Sequence, residues 1–303
     1  MKFVITGGAG HISKPLAEKL LAKGNEVIVI GRNAKNLEEL VAKGAKAAIG
    51  SVEDVNFLTQ TFTGANAVYT MVPPNMQATE WKKWIAQIGK HYAQAIKASG
   101  VKHVVNLSSV GADLPEGVGP VTGLHRAEKA LFELSDVHIK NLRPAFFYPN
   151  LLSNVGMIKK IGIMGANFGG QNLKVVMVHP SDIADVAAEE LLNLNFKGHS
   201  IRYIASDERT TDEIASVFGN AIGKPDLKWV VFSDEDALKG MIQAGLPEEI
   251  AKNYQEMNQS LQAGKMYADY WKNHPATLQK TKLEDFAKTF AAMYKGESEA
   301  VLH

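Results

Sequence analysis

The chain has 303 residues, of which 46% are hydrophobic and 21% charged, with a net charge of +1 and no cysteine. That is the composition of one large or two modest globular units with a real core. It provides no bulk field toward nucleic acid or an anionic membrane, and it rules out disulfides, thiolate catalysis and cysteine-based zinc sites. The opening MKFVITGG carries too short an apolar run for a signal sequence, and nothing later approaches the about eighteen apolar residues of a membrane span. The expectation is a cytoplasmic protein that binds neither membrane nor nucleic acid.

Phe3–Ile5 reads as a first strand, followed by a helix-period stripe through Leu16, Ala17, Leu20 and Leu21 that ends near Gly24. Val27–Ile30 is a second strand, and Leu37, Leu40 and Val41 mark a second helix closed by Gly44. A weaker strand covers Ala45–Ile49, with further strands at Ala67–Val72 and Val104–Leu107. A long helix between the last two carries Trp81, Trp84, Ile85, Ile88 and Tyr92 on one stripe. Uninterrupted apolar strands alternating with helices predict a doubly wound parallel sheet covered on both faces.

The pattern changes after Pro144. His138–Leu142 reads as a sixth strand, and residues 150–170 as irregular. Lys174–Val178 and Ser181–Leu192 form a strand–helix pair capped by Ser181 or Asp182. Ile201–Ala205 and Leu227–Phe232 are further strands, and Thr210 with Glu213 makes a capping box. The last stretch is helical and polar. The division expected is a nucleotide-binding unit over 1–150, to which 174–196 returns, and a smaller, discontinuous α/β cap over 151–303.

The strongest motif is Thr6-Gly7-Gly8-Ala9-Gly10-His11-Ile12-Ser13, between the first strand and first helix. Gly7 suits a tight turn, Gly10 leaves room for a pyrophosphate, and the following helix offers free N–H groups and its positive dipole end. Ser13 stands where the usual fingerprint has a third glycine. The alternative is a glycine-rich turn with no ligand, which the alternating strands around it disfavour.

The second strand settles which dinucleotide to expect. Dinucleotide folds specific for NAD end that strand in a carboxylate for the ribose hydroxyl. Here Val27–Gly31 runs into Arg32, with Lys35 close behind. A guanidinium grips a 2′-phosphate through paired charged hydrogen bonds, so NADP(H) is the expected cofactor; a plain solvated arginine is the alternative.

TGGAGHIS, the GRN after the second strand, VKHVVNLSS, LRPAFFYPNLL, HPSDIADVAAEEL and TTDEIASVFGNAIGK together resemble the NmrA-like branch of the atypical short-chain dehydrogenase/reductases, over nearly the whole chain. Within it the resemblance is greatest to the NADPH-dependent quinone oxidoreductase and triphenylmethane reductase subgroup. The resemblance implies a cofactor lying along Gly7, Gly8, Gly10, His11, Ile12 and Arg32 and passing Met71-Val72-Pro73, Ser108-Ser109 and the segment after Pro144. It also implies reduction of flat aromatic acceptors, although the same branch holds NADP-binding regulators without turnover.

Ordinary members of the wider superfamily keep a Tyr and a Lys four residues apart on one helix. Here that helix reads Leu124-His125-Arg126-Ala127-Glu128-Lys129, with no Tyr. His125 and Lys129 have the right spacing to share a face, His125 as proton donor and Lys129 as ribose ligand; both read equally as solvated helix residues. Phe146, Phe147 and Met164, with Met71, Met76, Trp81 and Trp84, are candidates for an apolar acceptor pocket, or for plain core. No paired His spacing and no GxSxG elbow occurs, so no metal and no hydrolase chemistry is expected. The leading expectation is hydride transfer from NADPH to a small apolar acceptor. A non-catalytic NADP(H) sensor with a protein partner is the alternative, homodimerisation is left open, and the missing Tyr disfavours a sugar-nucleotide epimerase.

Overall fold

A computed structural model describes residues 1–297. Strands β1 (Lys2–Ile5), β2 (Glu26–Gly31), β3 (Lys46–Ile49), β4 (Ala67–Thr70), β5 (His103–Leu107) and β6 (His138–Pro144) form one parallel sheet. Its spatial order is β3-β2-β1-β4-β5-β6, the doubly wound order, with the direction of winding reversing between β1 and β4. A seventh strand, β10 (His199–Ile204), adds parallel to β6.

Alternation along β1 decides which helices cover which face. Phe3 and Ile5 join the cluster containing Leu16 and Leu20 of α1 (Ser13–Ala22) and Ile183 and Ala187 of α7 (Pro180–Asn193). Val4 joins the opposite cluster, with Leu58 of α3 (Val55–Phe62), Tyr92 and Ile96 of α4 (Trp81–Ser99) and Leu131 of α5 (Val121–Phe132). A side chain therefore meets a helix on either face, which is why these strands carry no polar side. Beneath the C-terminal edge, Thr70 donates to Asn106 Oδ1 and Asn106 to Asn141 Oδ1, both at 2.9 Å, tying β4, β5 and β6 through buried side chains.

The second half departs from expectation in three places. Residues 150–170 are ordered: a 3₁₀ turn over Tyr148–Asn154 leads into α6 (Val155–Ile161) and β8 (Met164–Ala166). Leu151, Leu152, Val155 and Ile158 supply the buried helical stripe that the glycines around them obscured. Second, α7 is capped by His179, not by Ser181 or Asp182. Pro180 takes the first helical position, which leaves His179 extended, and its Nδ1 accepts from the Ser181 N–H at 3.2 Å. Asp182 instead lies buried, accepting from Ser206 Oγ at 2.7 Å and from Thr281 Oγ1 at 2.8 Å. Third, Lys174–Val178 forms β9 in a second sheet, between β7 (Phe146–Phe147) and β11 (Asp207–Thr210), while the helix α7 that follows it packs on α1 against the large sheet.

The capping box at Thr210–Glu213 opens α8 (Thr211–Ala221), and β12 (Trp229–Val231) pairs parallel with β8. Four helices follow: α9 (Asp234–Gln243), α10 (Glu248–Gln262), α11 (Ala268–Lys272) and α12 (Leu283–Lys295). Phe290 of α12 stacks on Phe218 of α8 with ring centroids 4.0 Å apart. Among the described residues no helix is long and apolar enough to cross a membrane, and no cluster of three His, Asp or Glu is arranged to hold a metal ion.

Candidate functional site

Site geometry begins at the end of β1. Gly7 (φ +94°) and Gly8 (φ +58°) turn the chain through the left-handed region. At Gly7 a Cβ would come within 2.4 Å of Ser13 Oγ, so glycine is required by conformation and by space. Ser13 spends its hydroxyl on the Thr6 carbonyl at 2.8 Å, pinning the start of α1 to the turn. Thr6 in turn accepts the Met71 N–H on its hydroxyl at 2.9 Å, and Tyr92 donates to the Met71 carbonyl at 2.7 Å. The turn and the end of β4 are thus one rigid corner. No side chain caps α1; Pro15 has no N–H and the Lys14 N–H bonds the Gly10 carbonyl at 2.9 Å, so the terminus can offer an anion the N–H groups of His11, Ile12 and Ser13.

Arg32 follows β2 directly, on the same edge of the sheet as this corner, and both Arg32 and Lys35 are exposed. Asn33 accepts the Lys35 N–H at 2.9 Å and fixes the loop that presents them. The Gly7–Ile12 turn, the α1 terminus and these two cations could hold a dinucleotide bearing a 2′-phosphate.

Next to the corner opens a cleft of about 440 Å³. Its floor on the sheet side is Met71-Val72-Pro73 after β4 and Ser108-Ser109 after β5. Phe146 and Phe147 form another wall. Counting Trp81, the structure thus brings together eight residues that the sequence nominated separately. It places five others elsewhere, of which Met76 and Trp84 pack against the cluster of Trp81, Ile85 and Ile250. Met164 is fully buried in β8, paired with Trp229, and forms core rather than cleft wall. His125 lies on α5 with its Nδ1 2.8 Å from the Ala112 carbonyl, and the cleft-lining residue of that helix is its neighbour Leu124. Adjacent helical positions point about 100° apart, so a one-residue offset turns the imidazole from the cleft. Lys129 is exposed on the outside of α5 and does not line the cleft.

The remaining wall comes from α10 and the turn after it: Tyr254, Met257, Leu261, Met266 and Tyr267. The sequence reading passed over all five. A signal was present, since Ile250, Tyr254, Met257 and Leu261 recur at helical spacing in an otherwise polar stretch. Three contacts fix this wall on α4 beside the large sheet. Glu249 accepts the Trp81 N–H at 3.0 Å, a carboxylate at the N-terminus of α4. Lys82 pairs with Glu256 at 2.6 Å, and Trp81 meets Tyr254 edge-on with centroids 5.4 Å apart. Gly119 (φ +57°) lets the loop before α5 lie against α10, since a Cβ there would sit 2.1 Å from the Asn253 carbonyl oxygen.

Behind the cleft, Arg143 and Glu128 form a buried bidentate pair, with Nε–Oε1 at 3.1 Å and Nη2–Oε2 at 2.7 Å. Burial opposes the arginine's charge, but the hydrogen bonds and field of Glu128 outweigh it, so its pKa lies above the ordinary arginine value. The pair joins α5 to the end of β6, two residues before Phe146 and Phe147 of β7, which line the cleft.

A family model described as the NmrA-like family matches residues 1–290. The chain belongs to that family. It is 25% identical over 258 residues to an NAD(P)H azoreductase from Xenophilus azovorans, covering 84% of this chain and 85% of that one. The NADPH-dependent quinone oxidoreductase of Escherichia coli superposes with a TM-score of 0.78 at 20% identity, covering 95% of this chain and 98% of that one. Triphenylmethane reductase of a Citrobacter species gives 0.78 at 20% identity, covering 97% and 100%. Both neighbours have also been solved in complex with NADP(H) or NADPH.

Proposed function

We propose that this member of the NmrA-like family is an NADPH-dependent reductase of a flat, apolar acceptor, of the quinone or aromatic-dye class. The observation that carries the reading is a mostly apolar cleft opening directly beside a glycine turn, an uncapped helix terminus and an exposed arginine. In this reading Gly7, Gly8, Gly10, His11 and Ile12 receive the pyrophosphate, Arg32 with Lys35 takes the 2′-phosphate, and Met71, Val72, Pro73, Ser108 and Ser109 flank the nicotinamide. NADPH supplies the hydride when bound; the protein has mainly to orient the two reactants and keep water out. The aromatic and aliphatic walls suit that task. The names of the azoreductase, quinone oxidoreductase and triphenylmethane reductase relatives support the acceptor class.

One observation favours a second reading. With Leu124 at the cleft and His125 and Lys129 outside it, α5 contributes no acid–base pair, which suits an NADP(H)-sensing regulator as well as a reductase whose acceptor needs little proton chemistry.

The cofactor assignment is tested at Arg32. NADPH binds far more tightly than NADH, and Arg32→Ala removes most of the difference. A charged hydrogen-bonded contact is worth about 1.5–3 kcal/mol, so roughly 10- to 150-fold in the NADPH dissociation constant with little change for NADH. Fluorescence titration of both cofactors checks this, and equal constants in the unmutated protein would reject the assignment.

A further inference from the structure

The cleft's polar groups separate into those already engaged and those still free. Tyr267 donates its hydroxyl to the Val176 carbonyl at 3.1 Å. Ser108 Oγ is buried and has no hydrogen-bond partner among the described residues. Its backbone is held, because its N–H bonds to the Leu142 carbonyl at 2.8 Å. Tyr254 lines the same cleft from the opposite, cap side, and its hydroxyl engages no protein group among the described residues. Burial alone raises its pKa, which keeps the phenol protonated and a donor. Its ring is positioned by Trp81, and its helix by Glu249 and Lys82, so the orientation is built in. Among the described residues the lining also holds the buried Trp81 indole N–H, the half-buried Ser109 hydroxyl and the exposed Asn150 amide without hydrogen-bond partners, but only Tyr254 presents a phenol from the cap side opposite Ser108.

We infer that Tyr254, with Ser108 as a second donor, is the group that hydrogen-bonds the carbonyl oxygen of the acceptor, in place of the Tyr missing from α5. This rests on the reductase reading above. An oxygen-bearing acceptor takes two electrons and one hydrogen as hydride; negative charge gathers on its oxygen, and a proton from water finally neutralises it. A neutral phenol and a hydroxyl aimed at that oxygen stabilise the charge as it forms and are not consumed. An acceptor that receives hydride on a carbocation centre, such as a triphenylmethane dye, develops no oxyanion and gains nothing from them. The site is therefore predicted to favour carbonyl acceptors by virtue of one cap residue.

The test compares menadione with malachite green as acceptors for the unmutated protein, Tyr254→Phe and Ser108→Ala, with NADPH binding measured in parallel. Phe keeps the ring against Trp81. Loss of one oxyanion donor costs about 10²–10³-fold in water-excluded sites, and less in an open cleft, so roughly 10- to 100-fold in kcat/KM for menadione is expected. For Tyr254→Phe, malachite green reduction and the NADPH dissociation constant stay within about twofold, a negligible free-energy change; Ser108→Ala, whose side chain also borders the nicotinamide position, is read as a larger loss on menadione than on the dye. Equal losses on both acceptors make Tyr254 a shaping residue and overturn the inference, as does no loss on either. A protein that reduces the dye but never menadione also overturns it, leaving the reductase reading intact. Absence of turnover with both acceptors in the unmutated protein withdraws the reductase reading and this inference together.

Discussion

Arg143→Ala is expected to lower the free energy of unfolding by about 3–5 kcal/mol. The cost comes from what remains: Glu128 would be left buried and charged, without the two hydrogen bonds that now satisfy it. Tyr203 would lose its partner on Nη1 as well, a contact of 3.0 Å. Replacing both members of the pair, as Arg143→Met with Glu128→Leu, should recover most of the loss, because an apolar pair of similar volume has no charge to desolvate. Denaturant unfolding of the two single variants and the double variant measures the coupling. If both single substitutions cost less than about 1 kcal/mol, typical of an exposed pair, the two groups do not act as the buried pair described. The pair links α5 to the strand end that feeds the cleft, so the single variants should also weaken NADPH-dependent turnover beyond what unfolding explains.

Gly10→Val is expected to weaken NADPH binding by roughly 10²- to 10⁴-fold, the loss of about two charged hydrogen bonds to the pyrophosphate. The fold should survive. Gly10 has no positive φ, and a Cβ there would meet only the Gly7 carbonyl oxygen, at 3.2 Å. Gly7→Ala is the contrast, since its φ of +94° and the 2.4 Å approach to Ser13 Oγ demand that the turn itself deform. Circular dichroism with a cofactor titration separates the two: Gly10→Val folded but without affinity, Gly7→Ala destabilised. A folded Gly10→Val that binds NADPH normally would mean the turn does not receive the phosphates.

These two sites also mark how far the sequence could be read. The doubly wound sheet and its glycine turn were legible because their signals are local. A strand, a glycine turn and a helix follow within a few residues, and the absence of a carboxylate at Arg32 needs only the end of one strand. The Thr210–Glu213 box was legible for the same reason. The buried Arg143–Glu128 pair was not, since nothing in spacing joins a helix residue to a strand end fifteen positions later. His125 failed on one step of helical rotation, and spacing alone cannot say which of two neighbours faces inward. Met164 failed because a methionine among glycines reads as loop until β8 finds its partner β12, far along the chain. Tyr254 is the instructive omission. Its stripe on α10 was visible, but only the Glu249 and Lys82 contacts between α10 and α4 turn that stripe toward the cleft.

The central claim is that the cleft is a place of hydride transfer. NADPH oxidation by the unmutated protein, followed by loss of dihydronicotinamide absorbance with menadione present and absent, tests it most directly. Oxidation is expected to require the acceptor, to saturate with it, and to be far slower with NADH. Tight NADPH binding with no oxidation across quinone and dye acceptors would contradict it and leave the sensor reading in its place.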